Sequence, residues 1–130
     1  MKIKTSELSG ANLDWAVAIA VGTHCQETGS TDLCTGKHWV VSGFRAMRWD
    51  DWTPYTDWGQ GGPLIERFSV TLGKRTDRPA GPRQWDAFID PNFCHSATYV
   101  NFGPSPLIAA CRAIVAAKLG DEVDVPEGLV

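Results

Sequence analysis

Ser105-Pro106 and Gly120 mark both ends of one segment of this chain, and that segment constrains the fold more than any other. Serine is a preferred N-cap because its hydroxyl accepts an orphan N–H of the first turn. Proline suits the first helical position, where a missing N–H costs nothing. Glycine is the usual residue just past a helix C-terminus. The stretch between them, Pro106 to Leu119, predicts a helix about 21 Å long. Leu107, Ile108, Cys111, Ile114, Val115 and Leu119 recur on it at three- and four-residue spacing. A helix so apolar must be covered, and the rest of the chain has to supply the elements that cover it.

A second helix is predicted from Gly10 to Ala20, with Leu13, Ala16, Val17 and Ala20 on one row and Trp15 and Ile19 on another. Ser6 or Ser9 offers its cap and Gly22 its stop. Ile3, between Lys2 and Lys4, reads as a short edge strand. His38–Val41, Leu64–Val70, Trp85–Ile89 and Thr98–Val100 have strand composition. Residues 23–37, 53–63 and 74–84 read as loops from their polar, Gly and Pro content. Val123 and Val125 are placed to pack back, in extended form, from the acidic end of the sequence. There is no internal repeat or low-complexity linker, so residues 1–130 are expected to form a single domain. A chain of this length buries roughly two thirds of its unfolded surface without needing staples. The expected fold is α+β: a small antiparallel sheet packed with an N-terminal and a C-terminal helix.

Composition excludes several functions. The net charge is −3, and the basic residues are scattered. Their loosest cluster, Lys74, Arg75, Arg78 and Arg83, has neither a helical pattern nor interleaved aromatics, so no nucleic-acid polymer is expected as partner. No apolar run approaches the roughly 18 residues that span a membrane. Met1 to Glu7 has no apolar core of a signal peptide, which points to a cytoplasm. There Cys25, Cys34, Cys94 and Cys111 are expected as free thiols. The chain carries six tryptophans: Trp15, Trp39, Trp49, Trp52, Trp58 and Trp85. A core of this size absorbs two or three; the others belong at a groove or at an interface with a host protein or a second copy of the chain.

Three segments resemble the NinX-like family of phage and prophage proteins. They are Lys4–Leu8 through Leu13–Ala18, then Tyr55–Glu66, then Ser105–Arg112 through Lys118–Pro126. The resemblance covers roughly half the chain. It implies a phage accessory protein made in the host bacterial cytoplasm, and it brings no activity with it. Residues 25–45 and 74–100 match no part of that pattern, so a specificity peculiar to this chain would be sought there.

Tyr55 to Glu66 is the leading candidate site. Gly59, Gly61 and Gly62 allow close backbone approach or positive φ. Gln60 offers donor and acceptor together, Asp57 a carboxylate, and Tyr55 and Trp58 flat faces for a base or sugar. The alternative is a turn-rich loop entering a strand, anchored by Trp58. No P-loop is present, because the Gly-Lys-Ser/Thr ending is missing. The start of the last helix, with Gly103 and Ser105, is a second candidate, suited to an anion. Arg112 on that helix either pairs with a buried carboxylate such as Asp14 or Glu66, or holds a ligand phosphate.

Other chemistries are weaker. His24, Cys25, Cys34 and His38 are zinc-ligand types, but the Cys25–Cys34 spacing departs from the usual close pairs. Cys94-His95 are sequence neighbours, which does not make a thiolate–imidazole pair in space. Asp50-Asp51 form a carboxylate pair in a loop. No nucleophile elbow or dinucleotide fingerprint occurs. Neither cofactor, metal nor catalytic residues are therefore expected. The leading expectation is a non-enzymatic binder of a small polar or nucleotide-like ligand, in its sharpest form one that sequesters a nucleotide-derived immune signal of the host. The alternatives are a protein–protein inhibitor of a host enzyme and a small hydrolase using Cys94 or the Asp50-Asp51 pair.

Overall fold

The computed structural model describes residues 1–25, 38–41, 47–48, 51–77, 81–89 and 99–126. These residues form an α+β fold with α3 (Pro106–Leu119) at its centre. Ser105 caps α3 as its sequence requires, its hydroxyl oxygen accepting the Ile108 N–H at 3.2 Å. Gly120 ends it at φ 92°, a left-handed conformation that glycine adopts without a Cβ clash. Between them Leu107, Ala109, Ala110, Cys111, Ala113, Ile114, Val115 and Ala116 are all buried. The alanines are as covered as the larger residues, because α3 is enclosed on several sides. Ile108 and Leu119 sit half-buried at its margins.

One side of α3 packs on an antiparallel sheet of β5 (Thr71–Lys74), β6 (Trp85–Ile89) and β7 (Tyr99–Gly103), in that order. Alternation along β6 places Ala87 and Ile89 in the core and turns Asp86 and Phe88 to the opposite face. Gly103 ends β7 where the chain turns into α3. A Cβ there would lie 2.7 Å from the Ala109 nitrogen. Another side of α3 meets α1 (Ala11–Val21), which buries Leu13, Asp14, Ala16, Val17, Ala18 and Val21. A third meets α2 (Trp58–Arg67). β1 (Lys2–Lys4) pairs with β8 (Glu122–Asp124), setting Ile3 opposite Val123, and Val123 and Val125 are buried. A separate antiparallel sheet consists of β2 (Thr23–Cys25), β3 (His38–Val41) and β4 (Met47–Arg48).

Four local expectations are corrected. Leu64–Val70 is no strand: α2 runs through Arg67 and the strand begins only at Thr71. The α1 cap is Gly10 at φ 60°, with no side-chain hydrogen bond from Ser6 or Ser9. Thr23–Cys25, read as the start of a loop, is a strand because it pairs with Trp39–Val41. β7 extends through Asn101, Phe102 and Gly103, beyond the short strand expected to end at Val100; Thr98 lies outside the described residues.

Candidate functional site

The segment from Asp51 to Asp57 is tied down before α2 begins. Trp52 is buried, and its indole N–H donates to the Asp14 carbonyl at 2.9 Å. Asp57 is the α2 N-cap, its Oδ1 accepting the Gly59 N–H at 2.8 Å. Gln60, three residues on, reaches back. Its Oε1 accepts the Thr53 N–H at 2.8 Å, and its Nε2 donates to the Asp51 carbonyl at 2.7 Å and to Asp57 Oδ2 at 3.2 Å. This is a variant of the capping box, in which an N-cap acid and a Gln at the third helical position satisfy the helix start together. At the other end the Ser69 N–H donates to the Glu66 carbonyl and the Val70 N–H to the Ile65 carbonyl. That pattern is a Schellman motif, with Ser69 at φ 54° in the position glycine usually holds.

These contacts reassign most of the Tyr55–Glu66 candidates. Asp57 and Gln60 spend their polar atoms on the helix start. Gly59, Gly61 and Gly62 are helical, and none has the positive φ that their loop reading allowed. Gly61 does serve a close approach, but to protein. A Cβ there would stand 2.6 Å from Leu107 Cδ2 and 2.6 Å from the Pro54 carbonyl oxygen, so its bare backbone lets α2 rest against the start of α3. A Cβ on Gly62 would meet open space. Arg112 does not pair with Asp14 or Glu66, the carboxylates expected for it. Its Nε donates to the Leu8 carbonyl at 2.9 Å and its Nη1 to the Phe102 carbonyl at 2.8 Å, which ties α3 to the chain's first turn and to β7.

Tyr55, Trp58 and Ser105 do come together. With Thr56, Pro106 and Leu107 they line an open cleft of about 260 Å³. Trp58 is 55% exposed on its rim, whereas Trp15 and Trp85 are half-buried and Trp52 is buried. The cleft lies where α2 and α3 both begin. Thr56 and Pro106 fall within the two candidate segments without being singled out, and Leu107 was expected only on the apolar face of α3. Their place in the cleft depends on the packing of α2 against α3, and no local pattern in the sequence reports it.

Asp14 lies behind the Tyr55 wall and was also not singled out as a site residue. It is 5% exposed, and its Oδ1 has no hydrogen-bond partner among the described residues. Burial pushes its pKa up to about 8, against a smaller lowering by the nearby Tyr55 backbone. The Cys111 thiol is buried beside it, and burial and the Asp14 charge both push that thiol's pKa up, away from a reactive thiolate.

A second groove, about 310 Å³, runs between the β7 edge and the β1–β8 pair, with Lys4, Arg83, Val100, Phe102, Asp121 and Glu122 on its walls. β7 is the edge of its sheet, yet it is stoppered at Phe102. The Phe102 N–H donates to Asn101 Oδ1 at 3.0 Å, and its carbonyl receives Arg112. Edge strands closed in this way resist pairing with another chain.

Of the zinc candidates, His24 and Cys25 lie on β2 and His38 on β3, while Cys34 falls outside the described residues. Cys94, His95 and Asp50 also fall outside them. Among the described residues, no group of three or more His, Cys, Asp or Glu side chains is placed to hold a metal ion. No helix among them is long and apolar enough to cross a membrane.

Fold and site together define an α+β domain built round a central helix, with an aromatic-rimmed cleft where two helices start. The chain belongs to the phage protein family described as Bacteriophage P22, NinX, whose family model matches residues 4–118. No curated protein matches the chain in sequence.

Proposed function

We propose that this phage accessory protein is a non-enzymatic binder that holds a small, flat, polar ligand in the Tyr55–Trp58–Ser105 cleft. The observation that carries the reading is Trp58, a large aromatic side chain left 55% exposed on the rim of a cleft. Holding an indole in water sacrifices about 1.5–3 kcal/mol of burial, which a stacked ligand returns. The start of α3 beside the ring favours negative charge, that of α2 being already taken by Asp57, and Ser105, whose oxygen accepts one N–H, keeps a hydroxyl proton to donate. A flat ring with an attached anion is nucleotide-like chemistry. A cleft of about 260 Å³ takes one base or one sugar-phosphate, with the remainder of a larger ligand lying over the open rim. In a phage protein the sharpest form of this reading is sequestration, without turnover, of a nucleotide-derived immune signal in the host cytoplasm.

The test is a titration of the protein with a panel of mononucleotides, cyclic nucleotides and cyclic dinucleotides, read by tryptophan fluorescence against a Trp58→Phe control. Saturable quenching by one ligand class, absent in the control, supports the proposal. A flat response across the panel removes nucleotides from it. The exposed Trp58 favours a second reading, a protein–protein inhibitor docking on a host enzyme, since tryptophan is enriched at interface hot spots.

A further inference from the structure

We propose that the first turn of α2, residues 57–62, is a lid on the cleft that lifts at Pro63 while the rest of the helix stays docked. The inference rests on the cleft being the ligand site and adds how that site opens and closes. It starts from Pro63, which stands inside α2. Proline has no N–H, so the Gly59 carbonyl, four residues back, loses its helical partner, and the proline ring crowds that carbonyl. No residue is less favoured in a helix interior. At the first position of a helix the same residue is favoured, and a glycine before it is an acceptable cap. Gly62-Pro63 is therefore a second helix start written inside the first. With residues 57–62 unwound, α2 still has a proper beginning.

The two halves of α2 are held differently. Beyond Pro63, Leu64 is buried and Ile65 half-buried. The helix end is closed by the Phe68 N–H on the Leu64 carbonyl and the Val70 N–H on the Ile65 carbonyl, each at 2.9 Å. Before Pro63, residues Asp57, Trp58 and Gly59 are exposed and Gln60 is half-buried. The buried residue of this turn is Gly61, which brings only its backbone against Leu107 and the Pro54 carbonyl. Lifting the turn therefore exposes little apolar surface, and hydrophobic stabilisation follows apolar area. The fastenings to the rest of the chain are polar: Gln60 Oε1 on the Thr53 N–H and Gln60 Nε2 on the Asp51 carbonyl. Bonds of this kind exchange for bonds to water at small net loss. Three of the six residues are glycines, which gain the most backbone freedom on unwinding. Trp58 rides on this turn and forms the cleft rim. Lifted, the turn widens the mouth of the cleft; lowered, it returns the indole to its place beside Ser105.

Native-state amide hydrogen exchange of the ligand-free protein, followed by NMR, tests this. The Thr53 amide lies outside α2, yet its acceptor is Gln60 Oε1, so a lifting turn releases it together with the turn's own amides. Its protection should match that of the Gln60 and Gly61 amides within about threefold, as a single opening requires. The Phe68 amide in the second half should be at least about tenfold better protected than Gly61, and Ile114 in α3 better still. Pro63→Ala restores the missing N–H and removes the inner start. It should raise the protection of Thr53 and Gly61 together by about a hundredfold. A Phe68 protection within about tenfold of that of Gly61, a Thr53 protection outside about threefold of it, or no gain in Pro63→Ala each overturns the lid. The first two are read from the unmodified protein, so the lid stays testable if the variant does not fold. None of these measurements uses a ligand, so the lid and the nucleotide reading fail separately.

Discussion

Replacing Asp14 by Asn should change how the stability of the whole protein depends on pH. The carboxyl has a pKa of about 8 in the folded chain against 3.8 for the ordinary group. Its folded pKa is raised, so the native state binds the extra proton. Its stabilising effect is complete below about pH 4, is lost as the pH rises towards about 8, and is constant beyond. At about 1.4 kcal/mol for each unit of separation, the full loss is about 6 kcal/mol, and about 4 kcal/mol of it falls between pH 5 and pH 8. Asparagine matches aspartate in shape but places an amide group where Oδ1 has no partner, an orphan costing about 1–3 kcal/mol at every pH. The difference between the two proteins therefore carries the test, since all other titrating groups cancel in it. Urea unfolding followed by tryptophan fluorescence at pH 5 and pH 8 should show Asn gaining about 4 kcal/mol on the parent across that interval. Parallel stabilities at the two pH values would refute the assignment of a neutral, buried Asp14.

Two neighbouring glycines should respond oppositely to alanine. Gly62→Ala points a methyl into open space within α2 and should raise stability by about 0.5–1 kcal/mol through helix propensity. Gly61→Ala drives one into Leu107 and the Pro54 carbonyl, and should lower stability by about 1–3 kcal/mol in the same thermal melts. Arg112→Met leaves the Leu8 and Phe102 carbonyls unpaired. It should lower stability by about 2–3 kcal/mol in urea while leaving the affinity of the folded protein for a cleft ligand unchanged.

Both ends of the molecule were legible in the sequence because their signals are local. Ser105, Pro106 and Gly120 mark α3 through the chemistry of their own backbone groups, and the apolar spacing of α1 and of Val123 and Val125 survives in the fold. α2 was not read, for a physical reason. Three glycines and Pro63 make WGQGGPLIER a poor helix by propensity, and packing against α3 outweighs that penalty. Its boundaries were nonetheless written, in Asp57 with Gln60 at the start and Arg67 at the end. Ser69 hid the stop by standing where glycine was expected. In the candidate site, Tyr55, Trp58 and Ser105 were foreseen from side-chain type alone. The structural role of Arg112 was weighed with a carboxylate partner, because its carbonyl partner Leu8 lies 104 residues away, a distance no motif spans.

Native mass spectrometry of the protein isolated from phage-infected bacteria reports whether the cleft beside Trp58 holds a small ligand. Gentle ionisation should reveal one added small-molecule mass per protein chain, released on denaturation and identifiable as a nucleotide derivative. Trp58→Ala, with an unchanged melting temperature in the absence of ligand, should carry it at about 5- to 150-fold lower affinity, the equivalent of about 1–3 kcal/mol for one lost stacking face. An apo mass in both proteins, or a ligand retained equally by Trp58→Ala, would contradict the account. A stoichiometric host protein lost only with Trp58 would transfer the site to the inhibitor reading.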